Sequence, residues 1–141
     1  MSKNILLPID LQQPETWQTT LAATRRQLDD GGTLHLLGIV PDIGSSMVAT
    51  FMPQNYEVQA LRAMKDGLDQ FAAEQLADGP NVKTHVGHGH VAETILKIAK
   101  KVRADMIVIA SPQRDELRSI LISSHTNAVV RHSPCSVLVV R

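Results

Sequence analysis

Short apolar runs alternate along this chain with longer stretches in which apolar residues recur every three or four positions. An unbroken apolar run predicts a strand with both faces covered, as in a parallel sheet. A recurrence of three or four predicts an amphipathic helix. Lys83 and His85 alternate with apolar neighbours, which favours the edge of a sheet for that strand. The five predicted strands are residues 5–9, 34–40, 82–86, 106–110 and 137–140.

Four helices are predicted between these strands. The first begins near Pro14, because proline suits the first turn of a helix, and it ends at the glycine pair Gly31–Gly32. Its apolar stripe comprises Trp17, Leu21, Thr24 and Leu28. The other three helical stripes lie within residues 58–75, 91–102 and 117–131.

Strands and helices that follow one another in turn predict an α/β fold, here an open doubly wound sheet of five parallel strands with helices on both faces. A chain of 141 residues is of ordinary size for one domain, so we expect residues 1–141 to form a single domain. Residues 41–55 interrupt the alternation. They predict either a long functional loop or a short surface helix.

The composition argues against several classes of binding partner. The chain has 14 basic and 14 acidic residues, and only 3% of its residues are aromatic. A neutral chain with few stacking side chains is not expected to bind nucleic acid. No apolar run approaches the length of about 20 residues that spans a membrane. With one cysteine and no signal peptide, we expect a cytoplasmic protein without a membrane partner.

The predicted topology also locates a binding site. In open α/β sheets, ligands bind at the carboxyl ends of the strands, where the strand order reverses. If strands one and four are neighbours at that point, the residues that follow Ile9 and Ile109 line a crevice, beside the end of strand two. This places the Asp10 carboxylate opposite the polar segment that begins at Ser111.

The segment after strand four carries a candidate anion site. Free N–H groups and hydroxyls at a helix amino end favour an anion, and Arg114 and Arg118 add positive charge. The alternative is that Ser123 or Ser124 only caps a helix and that both arginines are solvated.

Several segments together resemble the universal stress proteins, in order along essentially the whole chain. They are Pro8–Asp10, Gly89–Ile95, Ala104–Ile109 and, most specifically, the ending Val129–Arg141. The likeness is greatest to the small single-domain F and G types of bacteria. The resemblance implies an adenine nucleotide alpha hydrolase-like sheet of strand order 3-2-1-4-5.

The resemblance also implies an ATP site, with Mg²⁺, in the crevice between strands one and four. In the family the nucleotide is held by the aspartate after strand one, a backbone group at the end of strand two, and a loop after strand four. The matching residues here are Pro8, Ile9, Asp10, Ile39, Val40, Ala110, Ser111, Gln113, Arg114, Ser123, Ser124 and His125.

The nucleotide loop departs from the family pattern Gly-x2-Gly-x9-Gly-Ser/Thr. The pattern falls on Ala110, Gln113, Ser123 and Ser124, so all three glycines are replaced. Glycine lets a backbone N–H approach a phosphate closely. The alternative function is therefore a dimeric scaffold that binds no nucleotide. We assign no catalytic residue, since the chain lacks a Gly-x4-Gly-Lys-Ser/Thr loop and the family hydrolyses ATP slowly at most.

The last strand predicts a homodimer, because a bare apolar edge invites pairing with a second chain. The resemblance implies antiparallel pairing of this strand and a regulatory protein partner that the sequence does not identify. The pairing residues are Val137, Leu138, Val139 and Val140.

Three other groups carry weaker signals. His85, His88 and His90 have a spacing that could bind Zn²⁺, Ni²⁺ or Cu²⁺, but surface histidines at a sheet edge are the alternative that we favour. Cys135 is interpreted as a partly buried structural thiol. Basic residues that we interpret as complementing the dipole of the third helix are Lys97, Lys100, Lys101 and Arg103.

Overall fold

The computed structural model describes residues 2–40, 55–111 and 125–141. Its five strands are parallel and form one sheet of order β3-β2-β1-β4-β5, which confirms the predicted α/β fold. The strands are β1 Ser2–Pro8, β2 Leu28–Val40, β3 Asn81–His88, β4 Met106–Ala110 and β5 Ser136–Val140. The helices are α1 Pro14–Gln27, α2 Tyr56–Gln75, α3 Val91–Val102 and the helical residues 125–132, here called α4.

Helices cover both faces of the sheet, and each face has its own buried cluster. Side chains of a strand point alternately to the two faces. Leu7 and its alternate neighbours therefore pack with Leu21 of α1 and Phe71 of α2. Leu6 packs on the opposite face with Ile95 of α3. Within the described ranges, no helix has the length and apolar character needed to cross a membrane.

The boundary between α1 and β2 differs from the prediction. The helix does not continue through Leu28 to the glycine pair. Leu28 has extended dihedrals and pairs with Ser2, so it already belongs to β2. The register between β1 and β2 then shifts before the next pair, and Gly31 has φ +78° within this bulge. Glycine adopts that conformation without strain. The glycine pair therefore permits a strand irregularity and does not end the helix.

A carboxylate joins the amino ends of β1 and β4. Asp105 Oδ2 accepts hydrogen bonds from the backbone N–H groups of Lys3 at 3.0 Å and Asn4 at 2.7 Å. The Asp105 N–H donates in turn to the Asn4 carbonyl oxygen at 2.7 Å. These bonds link β1 to β4 at the end of the sheet opposite the predicted crevice, where the chain enters both strands.

The edge strand β3 is bound to α2 by a polar network. The Thr84 hydroxyl donates to Asp69 Oδ1 at 2.6 Å and accepts from the Lys65 ammonium group. Lys65 also contacts both carboxylate oxygens of Asp69, at 2.8 and 3.1 Å. The hydrogen bonds from Lys65 and Thr84 lower the pKa of the Asp69 carboxyl, because they favour its charged form.

Candidate functional site

The carboxyl ends of β1 and β4 separate. The last paired residues of these two strands are Leu6 and Ile107. On the other side of β1, pairing with β2 continues to Pro8 and Leu37. Strands β4 and β5 likewise remain paired up to the end of β4. A crevice therefore lies at the switch in strand order that the topology predicted.

Pro8 contributes to this separation. Successive residues of a strand direct their backbone groups alternately to the two neighbouring strands. The Ile9 N–H donates to the Leu37 carbonyl oxygen of β2 at 2.9 Å. Position 8 therefore faces β4, and proline has no N–H to donate there. The position without an N–H group therefore comes after the last pair of β1 and β4.

Asp10 lies at the mouth of the crevice, in a turn between β1 and α1. Its carboxylate Oδ1 accepts a hydrogen bond from the Gln12 N–H at 3.0 Å, and its carbonyl oxygen accepts one from the Gln13 N–H at 3.1 Å. Pro14 then begins α1, as predicted. The Asp10 side chain is exposed. The turn thus holds a solvent-accessible carboxylate at the carboxyl end of β1.

The backbone of Ile39 faces the crevice. The Leu37 carbonyl oxygen bonds toward β1, whereas the Val40 carbonyl oxygen accepts the Gly89 N–H beyond β3, at 3.1 Å. By the same alternation, Ile39 directs its N–H and carbonyl oxygen toward the β1 side. The last pair of β1 and β2 joins Pro8 to Leu37, so Ile39 lies two residues past the paired part of β1. A planar ligand in the crevice meets a backbone donor and acceptor at this position.

Apolar side chains surround these polar groups. Ile9 and Val40 are buried at 6% and 8% exposure, and Ile39 and Ala110 are half-buried. The Ser111 N–H donates to the Val140 carbonyl oxygen at 2.8 Å, which holds Ser111 at the end of β4.

The structure thus brings seven of the predicted site residues to one edge of the sheet. They are Pro8, Ile9, Asp10, Ile39, Val40, Ala110 and Ser111. His125 is exposed at the start of the described part of α4. Several predictions lie outside the described residues. They are Gln113, Arg114, Arg118, Ser123, Ser124, the first part of the fourth helix and residues 41–54 of the interrupting segment.

The three clustered histidines have separate surroundings. His85 Nε2 lies 2.9 Å from Nδ1 of His35, and His88 Nδ1 lies 3.3 Å from Glu57 Oε1. His90 precedes α3, and its carbonyl oxygen accepts from the hydroxyl of Thr94 in the first turn. In the part of the chain that the structure describes, no three His, Cys, Asp or Glu side chains form a metal-binding group.

His35 is a buried histidine that the sequence analysis did not single out. It lies inside the predicted apolar strand 34–40, and its side chain is only 5% exposed. Burial, followed by the nearby charges of His85 and Lys83, lowers the pKa of His35 to about 4. Burial also lowers the pKa of His85, together with the charges of Lys101, Lys65 and Lys83. The sequence signal was a polar residue within an otherwise apolar run.

Cys135 and the basic residues near the end of α3 make contacts that fit structural roles. Cys135 is half-buried, and its N–H donates to the Ser133 hydroxyl at 3.1 Å. Lys100 and Lys101 lie in the last turn of α3, where cations complement the helix dipole. Arg103 follows that turn in a left-handed conformation and caps the helix.

Comparison with known proteins assigns the family. The sequence profile of the Universal stress protein family matches residues 1–141. Universal stress protein G from Escherichia coli O157:H7 is 27% identical over 143 residues, a match that covers 100% of both chains. The solved structure of universal stress protein UspA from Lactobacillus plantarum has a TM-score of 0.73 at 26% identity, covering 99% of this chain and 97% of that one.

A third relative is similar in fold at lower identity. The structure of the universal stress protein from Archaeoglobus fulgidus in complex with dAMP has a TM-score of 0.64 at 17% identity. It covers 98% of this chain and 97% of that one. The strand order, the crevice and a profile match over the full length agree with one another, and this chain therefore belongs to the universal stress protein family.

Proposed function

We propose that this protein is a cytoplasmic stress-response regulator that binds ATP in the crevice between β1 and β4. The observation that carries the proposal is the open backbone of Ile39 beside the exposed carboxylate of Asp10, at the point where β1 and β4 separate. A partner protein reads whether the nucleotide is bound.

The described half of the crevice fits an adenine nucleoside. The N–H and carbonyl oxygen of Ile39 suit the polar edge of a planar base, because a purine edge presents both an acceptor and a donor. Ile9, Val40 and Ala110 supply apolar surface for the faces of the base. Asp10 offers a carboxylate to the ribose hydroxyls or to a Mg²⁺ ion bound with the phosphates. The relative of the same fold solved with dAMP supports an adenine ligand.

The phosphate half of the site depends on a loop without glycines. Gln113 and Ser123 stand where the family pattern has glycine, so we expect most of the affinity to come from the base and ribose. ADP and AMP should then bind nearly as tightly as ATP. The regulator needs no catalytic group, and any hydrolysis is slow.

The test is titration calorimetry of the nucleotide-stripped protein with Mg-ATP. We expect one site per protomer, and we expect Asp10→Ala to weaken binding about tenfold, as for the loss of one hydrogen bond to a charged group. Asp29→Ala is the matched control, because it removes a carboxylate from the opposite end of the sheet. Equal affinity of wild type and Asp10→Ala would remove Asp10 from the site. No binding heat at two temperatures, from folded protein, would contradict the nucleotide proposal.

A second candidate function is a dimeric scaffold, and the edge position of β5 favours it. Strand β5 pairs with β4 on one side only, and it is the last strand of the sheet. Its apolar residues from Val137 to Val140 are half-buried. We propose that a second copy of the chain pairs along this edge, whether or not nucleotide is bound.

Val139→Pro tests the dimer at one backbone group. The Val140 carbonyl oxygen accepts the Ser111 N–H, so Val140 faces β4 and Val139 faces outward. Proline at position 139 removes an outward N–H and leaves the donors toward β4 in place. We expect light scattering after size exclusion to find a monomer for Val139→Pro and a dimer for Val139→Ala, which keeps the N–H. A monomeric wild type would contradict the scaffold.

A further inference from the structure

A histidine pair lies on the α3 face of the sheet, away from the crevice. His35 of β2 follows the alternation of Leu37, which packs against α3. His85 of β3 lies beside it, with the ring centroids 5.1 Å apart and Nδ1 of His35 2.9 Å from Nε2 of His85. These two strands are neighbours over the full length of β3.

The contacts favour one arrangement of the hydrogens when both rings are neutral. His35 Nε2 faces the amide oxygen Oδ1 of Asn4 at 3.4 Å, and an amide oxygen can only accept. This favours a hydrogen on Nε2 of His35 and leaves a lone pair on its Nδ1. That lone pair then accepts the N–H of His85 Nε2. In the neutral pair the donors thus run from His85 through His35 to Asn4.

We propose that the hydrogen bond between His35 and His85 is an acid-sensitive latch that holds the edge strand β3 against β2. A proton on Nδ1 of His35 turns the acceptor into a donor. His85 can still accept this hydrogen as its Nδ1–H tautomer, but a charge then sits on a side chain that is 5% exposed. A second proton, on His85, makes two N–H groups face each other at a distance of 2.9 Å. Both effects oppose the closed arrangement.

The charges that lower the pKa values of the pair are positive. Lys83 comes from β3 itself and acts on both histidines, while Lys65 of α2 and Lys101 of α3 act on His85. Asp69 binds Lys65 and offsets part of its charge. The lysines add to the effect of burial, so the neutral pair is stable over the ordinary pH range.

The element that the latch releases is β3, because this edge strand carries His85. It lies at the edge and pairs with β2 alone. Below an ordinary histidine pKa of 6.5, the released state binds the proton more tightly than the closed state, in which the pKa of His35 is about 4. The closed state therefore loses stability as the pH falls from 6.5 to 4, by up to tenfold in the equilibrium constant per pH unit for His35.

The first test follows the ring nitrogens of the full-length protein by NMR between pH 3.5 and 8. We expect His35 to be the Nε2–H tautomer at neutral pH and to titrate near pH 4, whereas an ordinary histidine titrates near 6.5. Titration of His35 near pH 6.5, or an Nδ1–H tautomer of His35, would overturn the proposal.

The second test is hydrogen exchange at pH 7 and pH 4.5, corrected for the intrinsic exchange rates. We expect the amides of β3, Asn81–His88, to lose at least tenfold protection at pH 4.5 while β1 and β4 keep theirs. Unchanged protection of β3, or equal losses in all three strands, would rule out a latch that acts on this strand.

Two variants remove the latch in different ways. His35→Leu places an apolar side chain in the buried position and removes the proton acceptor. His85→Gln removes the second titrating ring and leaves His35 buried. We expect the acid-induced loss at β3 to disappear in His35→Leu and to shrink in His85→Gln, whereas the control His132→Gln retains all of it. If His35→Leu fails to fold, an undiminished loss in His85→Gln still contradicts the latch.

Discussion

Replacing Phe71 with alanine is expected to lower the free energy of unfolding by about 3–5 kcal/mol, the usual range for a fully buried phenylalanine. Phe71 of α2 is 6% exposed and belongs to the cluster between α1, α2 and the sheet. Its ring centroid lies 4.8 Å from that of Trp17 of α1, with the ring planes at 87°. Truncation therefore removes buried area, leaves a cavity and loses an edge-to-face contact.

Urea unfolding measures the effect of this substitution. Trp17 is the only tryptophan of the chain and reports on the same cluster, so far-UV circular dichroism should be followed as a second probe. Val58→Ala is the matched control, because Val58 lies on α2 at 58% exposure and should change the free energy by less than about 0.5 kcal/mol. A loss below about 1 kcal/mol for Phe71→Ala would show that this cluster is not packed as described.

Replacing Asp105 with alanine should lower the free energy of unfolding by about 2 kcal/mol. Hydrogen bonds to a charged group contribute about 1.5–3 kcal/mol each, and exposure to water reduces that contribution. The substitution leaves the N–H groups of Lys3 and Asn4 without their acceptor. Since these bonds join β1 to β4, the loss falls on the central strand of the sheet and its neighbour.

The same urea measurement distinguishes this role from a general charge effect. Asp78→Ala removes a carboxylate that is 87% exposed and 3.9 Å from Arg25, and it should be nearly neutral. Asp105→Asn keeps one acceptor oxygen and should fall between wild type and Asp105→Ala. Equal stability of the two Asp105 variants and the Asp78 control would mean that the carboxylate does not join the strands.

The fold follows from periodicity because burial acts on whole elements. Strands such as β4 are covered on both faces, so only apolar residues suit them, and the run from Met106 to Ala110 was predicted with the bounds that the structure shows. The predicted boundary at Leu28 was wrong because an apolar residue at that position suits either element. Leu28 continues the helical spacing of α1 and also suits the strand that pairs with Ser2, and sequence spacing alone does not separate the two.

The sequence predicted those features of the candidate site that follow from the strand order. A strand order that reverses between β1 and β4 places Asp10 and Ser111 at one crevice, whatever their contacts. The orientation of the Ile39 backbone was not predictable, because it depends on the register of β2 with both of its neighbours. A shift of one residue would turn those groups toward β3.

Local patterns of apolar and polar residues thus determined the elements, their order and the edge of the sheet at which we propose a binding site. Contacts between residues distant in sequence were left to the tertiary structure. His35 and His85 are 50 positions apart, and nothing in either strand alone pairs one with the other. Their hydrogen bond exists because the register of β2 and β3 brings the rings together, and burial lowers the pKa of both rings.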